Sequence, residues 1–155
     1  MTHPLLLSGR WQPSVATESF LSANPATKHP FPDAYPVSPW SEVEAALKSA
    51  SAAFEQTRGW PGERFAAFLD KYAELIDGRA DAIVQLANVE TALPVEPRLK
   101  NVELPRTTNQ LRQAAAAARD GSWALPTIDT KPNIRSIYAP IGPVAVFGPN
   151  NFPCA

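Results

Sequence analysis

The sequence predicts an α/β chain: a helical middle set between two extended segments, closing on the first strand of a doubly wound domain. Three observations predict it. Of the seventeen prolines, seven precede Trp40 and six lie at or after Pro126; only Pro61, Pro94, Pro97 and Pro105 fall between Ser41 and Leu125. Proline removes a backbone donor and disrupts helix interiors, so the chain reads extended, helical, extended. The middle carries apolar residues at i, i+3, i+4 spacing, the mark of one helical face. Near the end stands a compact apolar run, Val144-Ala-Val-Phe147, bounded by Pro143 and Gly148. That is the pattern of a parallel strand buried on both faces. A parallel strand needs crossover partners, and no second such run is present. The expectation is a domain truncated just as its sheet begins.

The elements follow in order. Leu5-Leu-Leu-Ser-Gly-Arg-Trp-Gln-Pro13 reads as a short strand and turn. From Asn24 to Pro39, five prolines predict an extended surface run rather than a sheet centre. Ser41 and Glu44 have capping-box spacing, and Val43, Ala46, Leu47, Ala50 and Phe54 line one face of the helix they would start. Pro61 suits a first helical position. Phe65, Phe68, Leu69, Tyr72, Leu75 and Ile76 form the next stripe, which Gly78 can stop. A third helix is expected from Ala80 to Glu90, and a fourth helical stretch from Glu96 to Asp120 with a kink or break at Pro105. The alanines from 114 to 118 suggest a helix buried between others. Beyond Gly121, the mixed spacing of Ile128, Ile134, Ile137 and Tyr138 predicts one or two strands.

Composition narrows the functional classes. Fourteen Lys plus Arg against fifteen Asp plus Glu give a net charge of -1 over 155 residues, without the basic excess expected of a nucleic-acid binder or a polybasic membrane anchor. No apolar stretch approaches the roughly 20 residues of a membrane span, and Leu5 to Leu7 is too short a core for a signal peptide. Cys154 is the single cysteine, so an internal disulfide is impossible and a reducing, cytoplasmic setting is expected. His3 and His29 have no partners at zinc-ligand spacing, and no metal site is expected. The length accommodates one domain at most.

By themselves the motifs are quiet. Gly148 is followed by Pro149 and Asn150, so the glycine fingerprint of dinucleotide-binding turns is absent. Read alone, Pro-Asn-Asn-Phe-Pro is a rigid turn. A lone cysteine such as Cys154 is usually a small buried hydrophobe. Arg98, Lys100, Arg106 and Arg112 could bind an anion or simply solvate a helical face. Glu90, Glu96 and Glu103 form no evident carboxylate pair.

Taken together, however, Ala139-Pro-Ile-Gly-Pro-Val-Ala-Val-Phe-Gly-Pro-Asn-Asn-Phe-Pro153 resembles the aldehyde dehydrogenase superfamily, whose pattern runs proline, one residue, glycine, an apolar strand and a loop ending Asn-Phe-Pro. Glu90-Thr-Ala-Leu-Pro94 is similar to its Glu-Thr-Gly-x-Pro turn, with Ala92 replacing glycine, and Asn24-Pro-Ala-Thr27 to its Asn-Pro-Ala-Thr segment. Arg98-Leu99, Glu103, Arg106-Thr-Thr-Asn-Gln-Leu-Arg112 and Gly121-Ser-Trp123 resemble the NADP-dependent 2-oxoglutarate semialdehyde (2,5-dioxovalerate) dehydrogenase group. That group usually has glycine at Asn109 and often Ala-Ser at Pro149-Asn150.

The resemblance implies that residues 1–155 are the amino-terminal portion of a cofactor-binding domain, with 125–141 as strands crossing towards an oligomerisation region. It implies a homo-oligomeric complete enzyme that oxidises an aldehyde with NADP, or alternatively NAD. A cysteine thiolate attacks the aldehyde, hydride passes to the nicotinamide and a glutamate base directs hydrolysis. Both of those side chains are expected downstream of Ala155, so residues 1–155 alone are expected to be inactive. Asn151 is then the expected oxyanion donor, and Phe147, Gly148, Pro149 and Asn150 line the cofactor side of the loop. Arg106 is the candidate for the substrate's distal carboxylate, with Gln110 as a second donor; alternatively Arg106 pairs with Glu103 at i, i+3. Against this stand a non-catalytic helical scaffold or binding module, and an aldehyde dehydrogenase of other specificity, such as for fatty aldehydes. The reading frame beyond Ala155 separates catalyst from scaffold.

Overall fold

The computed structural model describes residues 2–154. Two hairpins open the chain: β1 (Leu5–Leu7) pairs with β2 (Arg10–Gln12), and β3 (Ser19–Ala23) with β4 (Pro30–Pro36), all antiparallel. The proline-rich run thus becomes one strand of a two-stranded ribbon, where a missing N–H can face outward. Four α-helices follow: α1 (Trp40–Thr57), α2 (Gly62–Asp77), α3 (Ala80–Thr91) and α4 (Leu104–Asp120). A short 3-10 turn, Ser122–Ala124, leads into a third hairpin of β5 (Thr127–Asp129) and β6 (Ile134–Ser136). No helix among the described residues is long and apolar enough to cross a membrane.

Between α3 and α4 lies Val95–Glu103, interrupted by extended backbone at Glu96 (φ -119, ψ 140) and closed by wide bonds in which Leu99 N–H reaches the Pro94 carbonyl and Leu104 N–H reaches Leu99, both five residues back. Such wide turns often mark functional sites. Here the segment turns Leu99 and Glu103 inward, at 0% and 1% exposure. Leu99 joins Val84, Ala87, Leu104 and Cys154 in the core cluster. Pro105 falls in the first turn of α4, where its absent N–H costs nothing.

The packing departs from the sequence expectation in several places. The capping box is not formed, because the helix starts two residues early: Pro39 is the N-cap and Ser41 is already helical. Glu44 pairs with Lys48 at 2.9 Å, while Glu42 accepts bonds from Ser14 Oγ at 2.8 Å and Val15 N–H at 2.7 Å. Pro61 is the N-cap of α2 rather than its first residue. Gly78 ends α2 with right-handed backbone, and α3 begins at Ala80. Of the alanine run only Ala115 is fully buried, because α4 presents one face to α2 and the others to solvent.

The largest correction concerns the apolar run near the end. Val144-Ala-Val-Phe147 forms no strand; the only strands among the described residues are those of the three hairpins. A parallel strand is held by its neighbours' amides and carbonyls, and no such neighbour lies beside residues 144–147. Val144, Val146 and Phe147 are consequently 68%, 86% and 94% exposed.

Candidate functional site

The turn that follows this run is, by contrast, firmly held. Cys154 is anchored in the core cluster, and its N–H donates to Glu103 Oε2 at 3.3 Å. The hydroxyl of Thr107, on the first turns of α4, donates to the Cys154 carbonyl. Arg98 Nη2 donates to the Asn151 carbonyl at 2.5 Å, while its Nε donates to Glu103 Oε1 at 2.7 Å. The same guanidinium lies 5.0 Å from the centre of the Phe152 ring, within the range of a cation–π contact. A buried carboxylate is tolerable only with charge and hydrogen bonds around it, and Glu103 has both. Burial pushes the Cys154 thiol up, and the Glu103 carboxylate adds to the shift. Its thiol is protonated at neutral pH, which suits a packing role.

The wide turn explains why Arg98 reaches Glu103. In an α-helix, residues five apart point about 140° away from each other. Winding through i, i−5 bonds closes that angle and brings the two side chains to one side.

Three separated stretches of sequence meet in front of the loop. A cavity of about 350 Å³ is lined by Pro25, Glu90, Thr91, Arg98, Asn150 and Asn151, among others. Pro25 belongs to a tight turn in which Asn24 Oδ1 accepts from the Ala26 and Thr27 amides. Glu90 and Thr91 end α3, where Ala92 takes a left-handed conformation (φ 59) and Asn88 Nδ2 ties down the Leu93 carbonyl at 2.7 Å. These are the Asn-Pro-Ala-Thr, Glu-Thr-Ala-Leu-Pro and Asn-Asn-Phe-Pro segments. Among the described residues, the side-chain amides of Asn150 and Asn151 make no hydrogen bond within the chain. Both residues are exposed. The loop therefore has a fixed backbone and open side-chain donors.

The other sequence candidates are distributed around it. Phe147, Gly148 and Pro149 are exposed on the run leading to the turn. Arg106 and Gln110 lie one turn apart on α4 and are exposed, outside the cavity lining. The basic cluster does not act as a unit. Lys100 pairs with Asp81 at 2.8 Å, Arg112 with Asp77 at 2.5 Å and Arg98 with Glu103. Arg106 makes no ion pair among the described residues, so the i, i+3 pairing with Glu103 is not formed. Sequence reasoning overlooked Arg98, Glu103 and Thr107 as holders of the loop, although all three stood in the pattern that carried the resemblance. A larger apolar cleft of about 450 Å³, walled by Phe54, Trp60, Phe65 and Trp123, has Arg58 as its one charged lining residue.

Residues 11–155 match the Aldehyde dehydrogenase family. The chain is 38% identical over 124 residues to alpha-ketoglutaric semialdehyde dehydrogenase 2 of Azospirillum brasilense, covering 74% of this chain and 23% of that protein. It is 31% identical over 149 residues to N-succinylglutamate 5-semialdehyde dehydrogenase of Burkholderia mallei, covering 96% of this chain and 30% of that protein. The chain thus spans about a quarter of the length of these curated relatives. In fold it is similar to aldehyde dehydrogenase C of Pseudomonas syringae, solved with NAD+ and octanal. The TM-score is 0.74 at 20% identity, over 82% of this chain and 25% of that one. A Mycobacterium tuberculosis aldehyde dehydrogenase bound to NAD+ gives a TM-score of 0.71 at 20% identity, over 83% and 27%. With the family match running through nearly its whole length, this chain belongs to the aldehyde dehydrogenase family.

Proposed function

We propose that this chain is the amino-terminal, loop-bearing part of an enzyme that oxidises 2-oxoglutarate semialdehyde to the dicarboxylate with NADP, NAD serving as the alternative cofactor. The observation that carries the reading is the convergence of residues 24–27, 90–94 and 150–151 on one cavity beside a rigid loop. The semialdehyde is supported by the similarity to the Azospirillum enzyme at 38% identity and by the Arg106-to-Arg112 pattern.

In this reading Asn151 supplies a side-chain amide to the oxyanion that forms when a thiolate adds to the aldehyde carbon. Its backbone is tied down by Arg98 and its amide is open, the combination that a preorganised donor requires. Phe147, Gly148, Pro149 and Asn150 would hold the cofactor side of the loop; their exposure and lack of a ladder leave that surface available. When bound, the nicotinamide accepts the hydride. Arg106 offers a planar fork of donors matched to the remote carboxylate, unengaged by any other ion pair among the described residues, and Gln110 adds a donor one turn on. The thiolate and the base come from downstream of Ala155, and residues 1–155 alone are inactive.

Residues 125–141 extend from this part of the cofactor-binding domain towards a partner subunit in a cytoplasmic homo-oligomer. The β5–β6 hairpin supports that placement: every one of its strand residues is exposed, Ile128 and Ile134 at 64% and 59%, and Ile137 and Tyr138 just beyond β6 are 67% and 65% exposed. The register sets Ile128 opposite Arg135 and Ile134 opposite Asp129, so each face of the ribbon carries an exposed isoleucine that a partner subunit would cover.

The test is Asn151→Ala in the complete enzyme. Turnover falls about 10²–10³-fold, the cost of one oxyanion donor, while the cofactor dissociation constant stays the same. Asn150→Ala acts mainly on cofactor binding. An unchanged turnover number in Asn151→Ala would remove the assigned role.

A further inference from the structure

We infer that Arg98 is a positioning residue for the reaction, holding the Asn151 amide in its productive direction through a clamp that Glu103 completes. The inference deepens the proposed function and rests on the role given there to Asn151.

The clamp is visible in four contacts. Arg98 holds the Asn151 carbonyl at 2.5 Å, and a backbone carbonyl fixed at that residue sets where its side chain can point. Arg98 cannot swing freely, because its Nε is bound to Glu103 Oε1 at 2.7 Å. Glu103 in turn uses its second oxygen on the Cys154 N–H at 3.3 Å. One buried carboxylate therefore fastens both ends of Asn151-Phe-Pro-Cys154, one end directly and the other through the guanidinium. Thr107 adds a bond to the Cys154 carbonyl. Were Arg98 only a solvated helical residue, neither a partner at 1% exposure nor a contact 53 residues away would be expected. A displacement of about 1 Å at a reacting group can cost about 10²-fold in rate, so rigidity in this loop has a kinetic consequence. Arginine suits the task because one planar group serves two acceptors in fixed directions.

The experiment uses the complete enzyme and four readouts: turnover against KM, rescue by lysine, alkylation of Cys154, and coupling to Asn151. Arg98→Met is expected to lower turnover by about ten- to a hundred-fold with KM for the cofactor within about two-fold, and Arg98→Lys to recover part of the loss. Iodoacetamide labelling of Cys154, followed by peptide mass mapping, accelerates in Arg98→Met because the loop end is released. In an Asn151→Ala background Arg98→Met costs little more, since its effect passes through a side chain already removed. Full additivity of the two substitutions, or unchanged turnover in Arg98→Met, overturns the inference. Failure of the underlying reading looks different: Asn151→Ala alone then turns over normally. Should Arg98→Met not accumulate as folded protein, Glu103→Gln, which keeps the side-chain shape, carries the same coupling test.

Discussion

Gly62 meets Ala118 so closely that a Cβ on Gly62 would fall 1.9 Å from the Ala118 carbonyl oxygen. The first residue of α2 thus lies against the last turn of α4, with backbone where a side chain would normally separate two helices. The charged pairs continue the same antiparallel docking. Arg119 binds Glu63 at 2.9 Å and Asp70 at 2.7 Å, and Arg112 binds Asp77. Between them Ala66, Ala73 and Ala115 are fully buried, small residues that let the helices approach.

Gly62→Ala must therefore push α2 off α4. Overpacking of this kind typically costs about 1–3 kcal/mol. A lower urea midpoint with an unchanged slope is the expected result; a midpoint equal to the parent's would mean that the approach is looser than described.

Ala92 presents the opposite case. It holds φ 59 at the end of α3, a conformation that suits glycine and strains an L side chain. Ala92→Gly is expected to raise stability by about 0.5–1 kcal/mol, the relief of strain exceeding the extra freedom of the unfolded chain. A loss of stability in the same unfolding assay would contradict this.

Glu42 makes the connection between the amino-terminal segment and α1 sensitive to pH. The Val15 N–H bond, followed by the bond from Ser14, holds its carboxyl below the ordinary range. A group whose folded value is depressed stabilises the fold above its unfolded value, about 4.3 for Glu. That contribution disappears as pH falls through the lower folded value. A carbon-13 NMR titration should place the Glu42 midpoint below the ordinary glutamate value of about 4.3; a midpoint at or above it would refute the assignment.

Arg106 is tested through specificity. In the complete enzyme Arg106→Met should lower kcat/KM for 2-oxoglutarate semialdehyde by about 10- to 100-fold, the loss of a charge-assisted pair of bonds, while sparing an uncharged aldehyde of similar length. Equal losses on both substrates would identify a structural arginine.

The sequence by itself determined the helices and the family. Apolar spacing in Phe65, Phe68, Leu69, Tyr72 and Ile76 places α2 within a residue of where it lies, and proline positions separate the extended ends from the middle. Both signals are local: a helix closes its bonds within four residues, and proline acts on its own backbone. The Asn-Asn-Phe-Pro turn was legible for the same reason, as a contiguous string. What only the tertiary structure decided involves partners remote in the chain. The capping box failed because Pro39 started the helix first, and it is Glu42, not the box's Glu44, that found a backbone donor, Val15, 27 residues away. Glu103 chose Arg98 over Arg106 because a wide turn, invisible in apolar spacing, rotated the two together. Val144 to Phe147 had the composition of a strand, but a strand exists only when another lies beside it to accept its hydrogen bonds.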